Sequence, residues 1–109
     1  MVGRLLIAAL MSLVSTAAFA VYNANGDFVV TNVLLYTDTD SIYVQVSAPP
    51  ANPACNNAYF VISGAISADR RKALLARLLV AKATNETINF GYDATGDCAE
   101  GYVRVHRIG

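Results

Sequence analysis

The stretch SADRRKALLARLLVAKA, residues 67–83, is where the hydrophobic pattern of this chain changes from alternation to helical spacing. Leu74, Leu75, Leu78 and Leu79 fall on one helical stripe, alanines fill much of the rest, and neither glycine nor proline interrupts. Ser67 offers an N-cap oxygen to the unpaired N–H groups of the first turn, and Asp69 sets a negative charge at the positive end of the helix dipole. The spacing predicts a helix over residues 69–83, ended by Thr84 and Asn85, with its leucine face packed on a sheet.

Upstream of this helix the pattern is that of strands. Residues 59–63 read as a short third strand that stops at Gly64. In residues 42–47, Ile42, Val44 and Val46 fall on one face and Tyr43, Gln45 and Ser47 on the other, as in a half-buried strand. Residues 28–37 are rich in β-branched and aromatic types, and the run Val33, Leu34, Leu35 predicts burial on both faces. Asp38, Thr39, Asp40 and Ser41 form the turn between these two strands, because Asx and Ser side chains bond back to nearby backbone. Pro49, Pro50 and Pro53 make residues 48–57 a loop, and a polar lead-in, residues 21–27, precedes the first strand.

Downstream, residues 86–92 give a fourth strand with Ile88, Phe90 and Tyr92 on one face. Residues 93–97 form a turn, and residues 102–108 a last strand. The expected fold class is therefore β-rich α+β, with the element order βββαββ. That is the order of the OB-fold, a five-stranded, partly open Greek-key barrel, here expected to be antiparallel with one helix. The competing layout is an α+β domain whose helix covers one face of an antiparallel sheet.

The first twenty residues have a separate role. Arg4 is followed by an apolar run over residues 5–14 and by the small-x-small pattern Ala18, Phe19, Ala20, the three parts of a cleavable signal peptide. The run is well short of the roughly 20 residues of a bilayer span, so no stable membrane span is expected after cleavage. Residues 1–20 are thus read as a signal peptide and residues 21–109 as a single secreted or periplasmic domain. At that size a hydrophobic core gives only a few kcal/mol of net stability, and a cross-link would help. Cys55 and Cys98 are the only cysteines, and an exported protein meets oxidants, so a disulfide between them is expected to add about 4 kcal/mol. Two free thiols are the alternative. Two cysteines and one distant histidine do not make a metal-ligand set, and no cofactor is expected.

The leader, the strands over residues 29–36 and 42–46, the helix over residues 69–83 with its polar end and the strand over residues 87–92 resemble the B subunits of bacterial A/B-type toxins, nearest the subtilase cytotoxin kind. The resemblance covers most of the chain past residue 20 and implies an OB-like subunit that forms a ring and binds glycans. The chain departs from that pattern in having no tryptophan, no aromatic-rich segment after the third strand and different cysteine positions. No glycan-binding residue carries over.

Composition excludes one class of partner. Past Ala20 the chain keeps seven basic and eight acidic residues, whereas a nucleic-acid binder needs surplus positive charge to neutralise phosphates. Arg70, Arg71, Lys72, Arg77 and Lys82 form a basic helix face expected to be solvated, with the stems of Arg71 and Lys82 lying over apolar surface. Asp38 with Asp40, and Asp93 with Asp97, read as turn residues rather than acid–base or calcium pairs. Asn85, Glu86 and Thr87 match the glycosylation sequon, which has meaning only in a eukaryotic secretory pathway.

No nucleophile and base pair up along the chain, so no enzyme is expected. His106, the one histidine, shares a strand face with Tyr102 and Arg104, without a serine or cysteine partner. The residues expected to form a ligand surface are Tyr43 and Gln45 on the second strand and Tyr102, Arg104 and His106 on the last, which combine ring faces with hydrogen-bonding groups. The function expected is a non-enzymatic binding module that recognises a glycan or protein and forms a homo-oligomer. The alternative is a small structural or inhibitory envelope protein acting through a protein interface.

Overall fold

A computed structural model describes residues 22–109; the expected signal peptide and its cleavage point lie outside the described residues. Strands β1 (Ala24–Leu35), β2 (Ile42–Val46) and β3 (Asn56–Ile62) precede helix α1 (Ala68–Thr84), and β4 (Thr87–Tyr92), β5 (Cys98–Ala99) and β6 (Tyr102–Ile108) follow it. β1 is long because it serves two partners. Residues 24–29 pair antiparallel with β4, and residues 30–35 pair antiparallel with β2. A register shift between Val30 and Asn32 marks the changeover, and such bulges bend a strand and increase its twist. With β2 on β3 and β4 on β6, the curled sheet needs one more pairing to close, and β3 on β6 supplies it.

That last pairing corrects the expectation of an antiparallel, partly open barrel. β3 and β6 run parallel, with Phe60 opposite Val103 and Val61 opposite Arg104, so the barrel is closed and mixed. Parallel neighbours need a long connection, and α1, β4 and β5 intervene between these two strands. The sixth strand, β5, was not expected: Cys98 and Ala99 pair with Val103 and Tyr102 across a two-residue hairpin. The third strand also starts earlier, at Asn56, where β3 first meets β6 opposite Tyr102.

Alternation fills the barrel. Ile42, Val44 and Val46 of β2, and Val103 and Val105 of β6, point inward, around a cluster of Phe28, Phe60, Phe90 and Tyr92 whose ring centroids lie 5.0 to 6.1 Å apart. Val33, Leu34 and Leu35 are not buried on both faces; Leu35 is 61% exposed. Beyond Val29 the strand has left β4, so this half of β1 is paired along one edge only.

Helix α1 begins as its sequence requires, with Ser67 Oγ accepting from the Arg70 N–H at 3.3 Å, and it ends at Asn85 in the left-handed conformation, φ 53°. Leu78 and Ala81 are fully buried against the barrel core, with Leu74 and Leu75 partly so, whereas Leu79 is 49% exposed and Val80 54%. The packed stripe is thus centred on Leu78 rather than on the four leucines together. Arg71 also differs from expectation: its Nη1 donates to the carbonyls of Gly64 at 2.8 Å and Ile66 at 2.6 Å, tying the helix to the segment that enters it. Cys55 and Cys98 are joined in a disulfide, with Cα atoms 5.6 Å apart.

Candidate functional site

Outward side chains of three adjacent strands meet on one side of the barrel. Alternation in β2 turns Tyr43 out, β3 carries Tyr59, and the β3–β6 pairing brings Tyr102 beside them. The centroid separations are 5.8 Å for Tyr43–Tyr59, 5.7 Å for Tyr43–Tyr102 and 5.3 Å for Tyr59–Tyr102. Tyr36, just past β1, completes the group at 5.0 Å from Tyr43. All four contacts are edge-to-face, the arrangement favoured by the quadrupole of aromatic rings. The rings line a cleft of about 520 Å³, with Asp38 and Thr39 from the β1–β2 turn and Glu100 from the β5–β6 turn on its rim.

The local backbone holds Glu100 on that rim. Glu100 (φ 56°) and Gly101 (φ 83°) both have positive φ, as a two-residue type I′ hairpin turn requires. For a residue with a side chain this conformation costs about 1–2 kcal/mol, so Glu100 sits where asparagine or glycine would be easier. Its carboxylate accepts from Ser41 Oγ at 3.2 Å, and the same hydroxyl accepts from the Gly64 N–H at 2.9 Å. Ser41 is 2% exposed, and a buried hydroxyl with both roles filled keeps its rotamer. A Cβ at position 64 would lie 2.9 Å from both Asp40 Cβ and Ser41 N, so only glycine allows this approach. The disulfide fixes the other side of the turn, since Cys98 stands two residues before Glu100 and Cys55 one before β3.

Burial pushes the Tyr43 phenol above its ordinary range, helped by the charge of Glu100 and by Tyr102, Tyr36 and Asp38. At neutral pH the Tyr43 hydroxyl, like any phenol, is protonated and able to donate.

Of the five residues expected to form a ligand surface, only Tyr43 and Tyr102 come together here. Gln45 faces Asn32 of β1 in the register and does not line the cleft. Arg104 and His106 turn instead to Asp97: Arg104 Nε is 3.1 Å from Oδ1 and His106 Nε2 is 2.5 Å from Oδ2, while Arg104 Nη2 donates to the Cys98 carbonyl at 3.0 Å. Strand twist rotates successive outward side chains of β6 away from one another, and Asp97 takes the later two. They border a separate cavity of about 540 Å³ with Ser63, Arg70 and Leu74. Sequence reasoning missed Tyr36, Tyr59, Asp38 and Glu100 as members of the site. Their separation along the chain carries no signal until β3 is laid beside β6.

Of the acidic pairs, Asp93 is the member that shows turn chemistry, while Asp97 holds Arg104 and His106. The Asp93 carboxyl is held below the usual carboxylate range, first by the Thr95 hydroxyl and then by the N–H groups of Thr95 and Gly96. Among the described residues no group of three or more histidine, cysteine or acidic side chains is placed to hold a metal ion. No protein-family model, curated protein or solved structure matches this chain.

Proposed function

We propose that this protein is a secreted or periplasmic, non-enzymatic binding module with an OB-like barrel, which takes a glycan or a protein segment into the tyrosine cleft. The observation that carries this reading is the convergence of Tyr36, Tyr43, Tyr59 and Tyr102 on one cleft. Tyrosine gives a large, rigid contact area with a polar tip, and its two side-chain torsions cost little to order on binding. The OB-like assignment is supported by the helix between β3 and β4, by β1 lying between β2 and β4, and by β3 against β6. OB-folds bind on the face of strands two and three and on the flanking loops. Tyr43 and Tyr59 lie on β2 and β3, and Asp38 and Glu100 on the connections on either side. Export is supported by the leader pattern, and by the disulfide, which persists in oxidising compartments.

The test is ligand capture by protein expressed from its full chain, on a glycan array and against an envelope extract, with Tyr59→Ala and Tyr102→Ala variants beside it. A cleft ligand should lose about two- to twelvefold in affinity with either variant, since stacked aromatic contacts are worth roughly 0.5–1.5 kcal/mol. A ligand bound equally well by both variants refutes the assignment. A structural or inhibitory role through a protein interface is favoured by a different feature, the exposed Leu79 and Val80 of α1. In that case Val80→Asp abolishes partner capture and the tyrosine variants leave it unchanged.

A further inference from the structure

Resting on the binding role proposed above, we infer that the tyrosine cleft selects an organic cation, an alkylammonium or guanidinium group, over neutral ligands. Four tyrosines line one space, and a cation within about 6 Å of a ring centroid is attracted by whatever part of the ring's negative face its neighbours leave open. The rim adds Asp38 and Glu100, and among the described residues no lysine or arginine lines the cleft. Those two carboxylates differ from Asp40, Glu86 and Asp97, though not from Asp27, Asp69 and Asp93, in having no cationic partner among the described residues. Asp40 faces Arg71, Glu86 pairs with Arg77, and Asp97 takes Arg104 and His106, while among the described residues neither Asp38 nor Glu100 forms an ion pair.

The cleft rim thus carries negative charge with no cationic side chain against it among the described residues. At Glu100 it is also preset, because Ser41, Gly64 and the left-handed turn hold that side chain in place before any ligand arrives. A neutral sugar would use the rings and hydroxyls but would cover the two rim carboxylates without supplying a counter-charge, which an organic cation provides. The cation has two sources, a small free molecule or a lysine or arginine side chain of a partner protein.

The experiment compares choline and tetramethylammonium with 3,3-dimethylbutan-1-ol, the uncharged isostere of choline, by NMR titration of protein expressed from its full chain. The cations should shift the ring resonances of Tyr36, Tyr43, Tyr59 and Tyr102 with an affinity at least about tenfold above that of the alcohol. The double variant Asp38→Asn with Glu100→Gln, whose amide oxygen can still accept from Ser41, should weaken choline binding about tenfold and leave the alcohol unchanged. A lysine or arginine peptide that binds above choline, and is lost on Nε-acetylation of the lysine, assigns the cation to a protein partner; choline above both peptides assigns it to a free molecule. Equal affinity for choline and the alcohol overturns the inference, as does the absence of shifts at the four tyrosines. A neutral glycan that sits in the cleft and is not displaced by choline also overturns it, while leaving the binding role intact. Should the double variant fail to fold, the comparison of choline with the alcohol on the unaltered protein decides alone.

Discussion

Reduction of the Cys55–Cys98 disulfide should remove about 4 kcal/mol of this protein's stability. The bond closes a loop with a sequence separation of 43 residues. In the chain-entropy model a loop of that length restricts the unfolded chain by about 4 kcal/mol at room temperature. A domain of this size has a net stability of only about 4–13 kcal/mol, so the loss takes a third of it at best and nearly all at worst. The assay is urea unfolding followed by circular dichroism, with and without dithiothreitol, beside a Cys55→Ala, Cys98→Ala double variant. With a urea dependence near 1 kcal/mol/M, the midpoint of the reduced protein should fall by roughly 3–4 M. The double variant should fall slightly further, by about 1 kcal/mol, because Cys55 is buried in the core and alanine leaves a void. A loss below about 1 kcal/mol on reduction would show that the unfolded chain already keeps the two segments together, and would refute the reasoning.

Two further outcomes follow from packing and titration. Leu78→Ala, at a fully buried site, should cost about 3 kcal/mol and lower the melting temperature by more than about 10 °C, whereas Leu79→Ala, half exposed, should stay within about 0.5 kcal/mol; equal effects would mean that α1 packs on a different stripe. Tyr43 has its phenol raised above the ordinary value of 10.0 by burial and by Glu100, so folding favours its neutral form. The resulting stability is fully present below pH 10 and is lost as the pH rises through the folded-state value. Phenolate absorbance should show one late-titrating tyrosine that disappears in Tyr43→Phe, and an unchanged titration curve in that variant would contradict the assignment.

Much of the local structure was legible because it depends on neighbours in sequence. The Ser67 cap and the buried face of β2 follow from hydrogen-bonding reach and side-chain periodicity, and the structure shows them as read. The third strand and the leucine stripe were placed less well. Phe60, Val61 and Ile62 are all buried, so β3 has no clean alternation to mark its start, and a helical wheel cannot say which part of a broad apolar arc meets the core. The Glu100–Gly101 hairpin was overlooked because glutamate is an unusual choice for a left-handed turn position.

By itself the sequence determined the periods, the caps, the cysteine count and the charge balance, all of which are properties of residues within a few positions of each other or of the whole composition. The disulfide was also inferable, because only one pairing is available to two cysteines. Tertiary structure alone decided that β3 closes against β6, and with it that Tyr36, Tyr43, Tyr59 and Tyr102 share one cleft while Arg104 and His106 go to Asp97. Pairings between segments far apart in the chain are chosen by how the whole sheet curls and which apolar faces it must bury, and no local pattern encodes that choice.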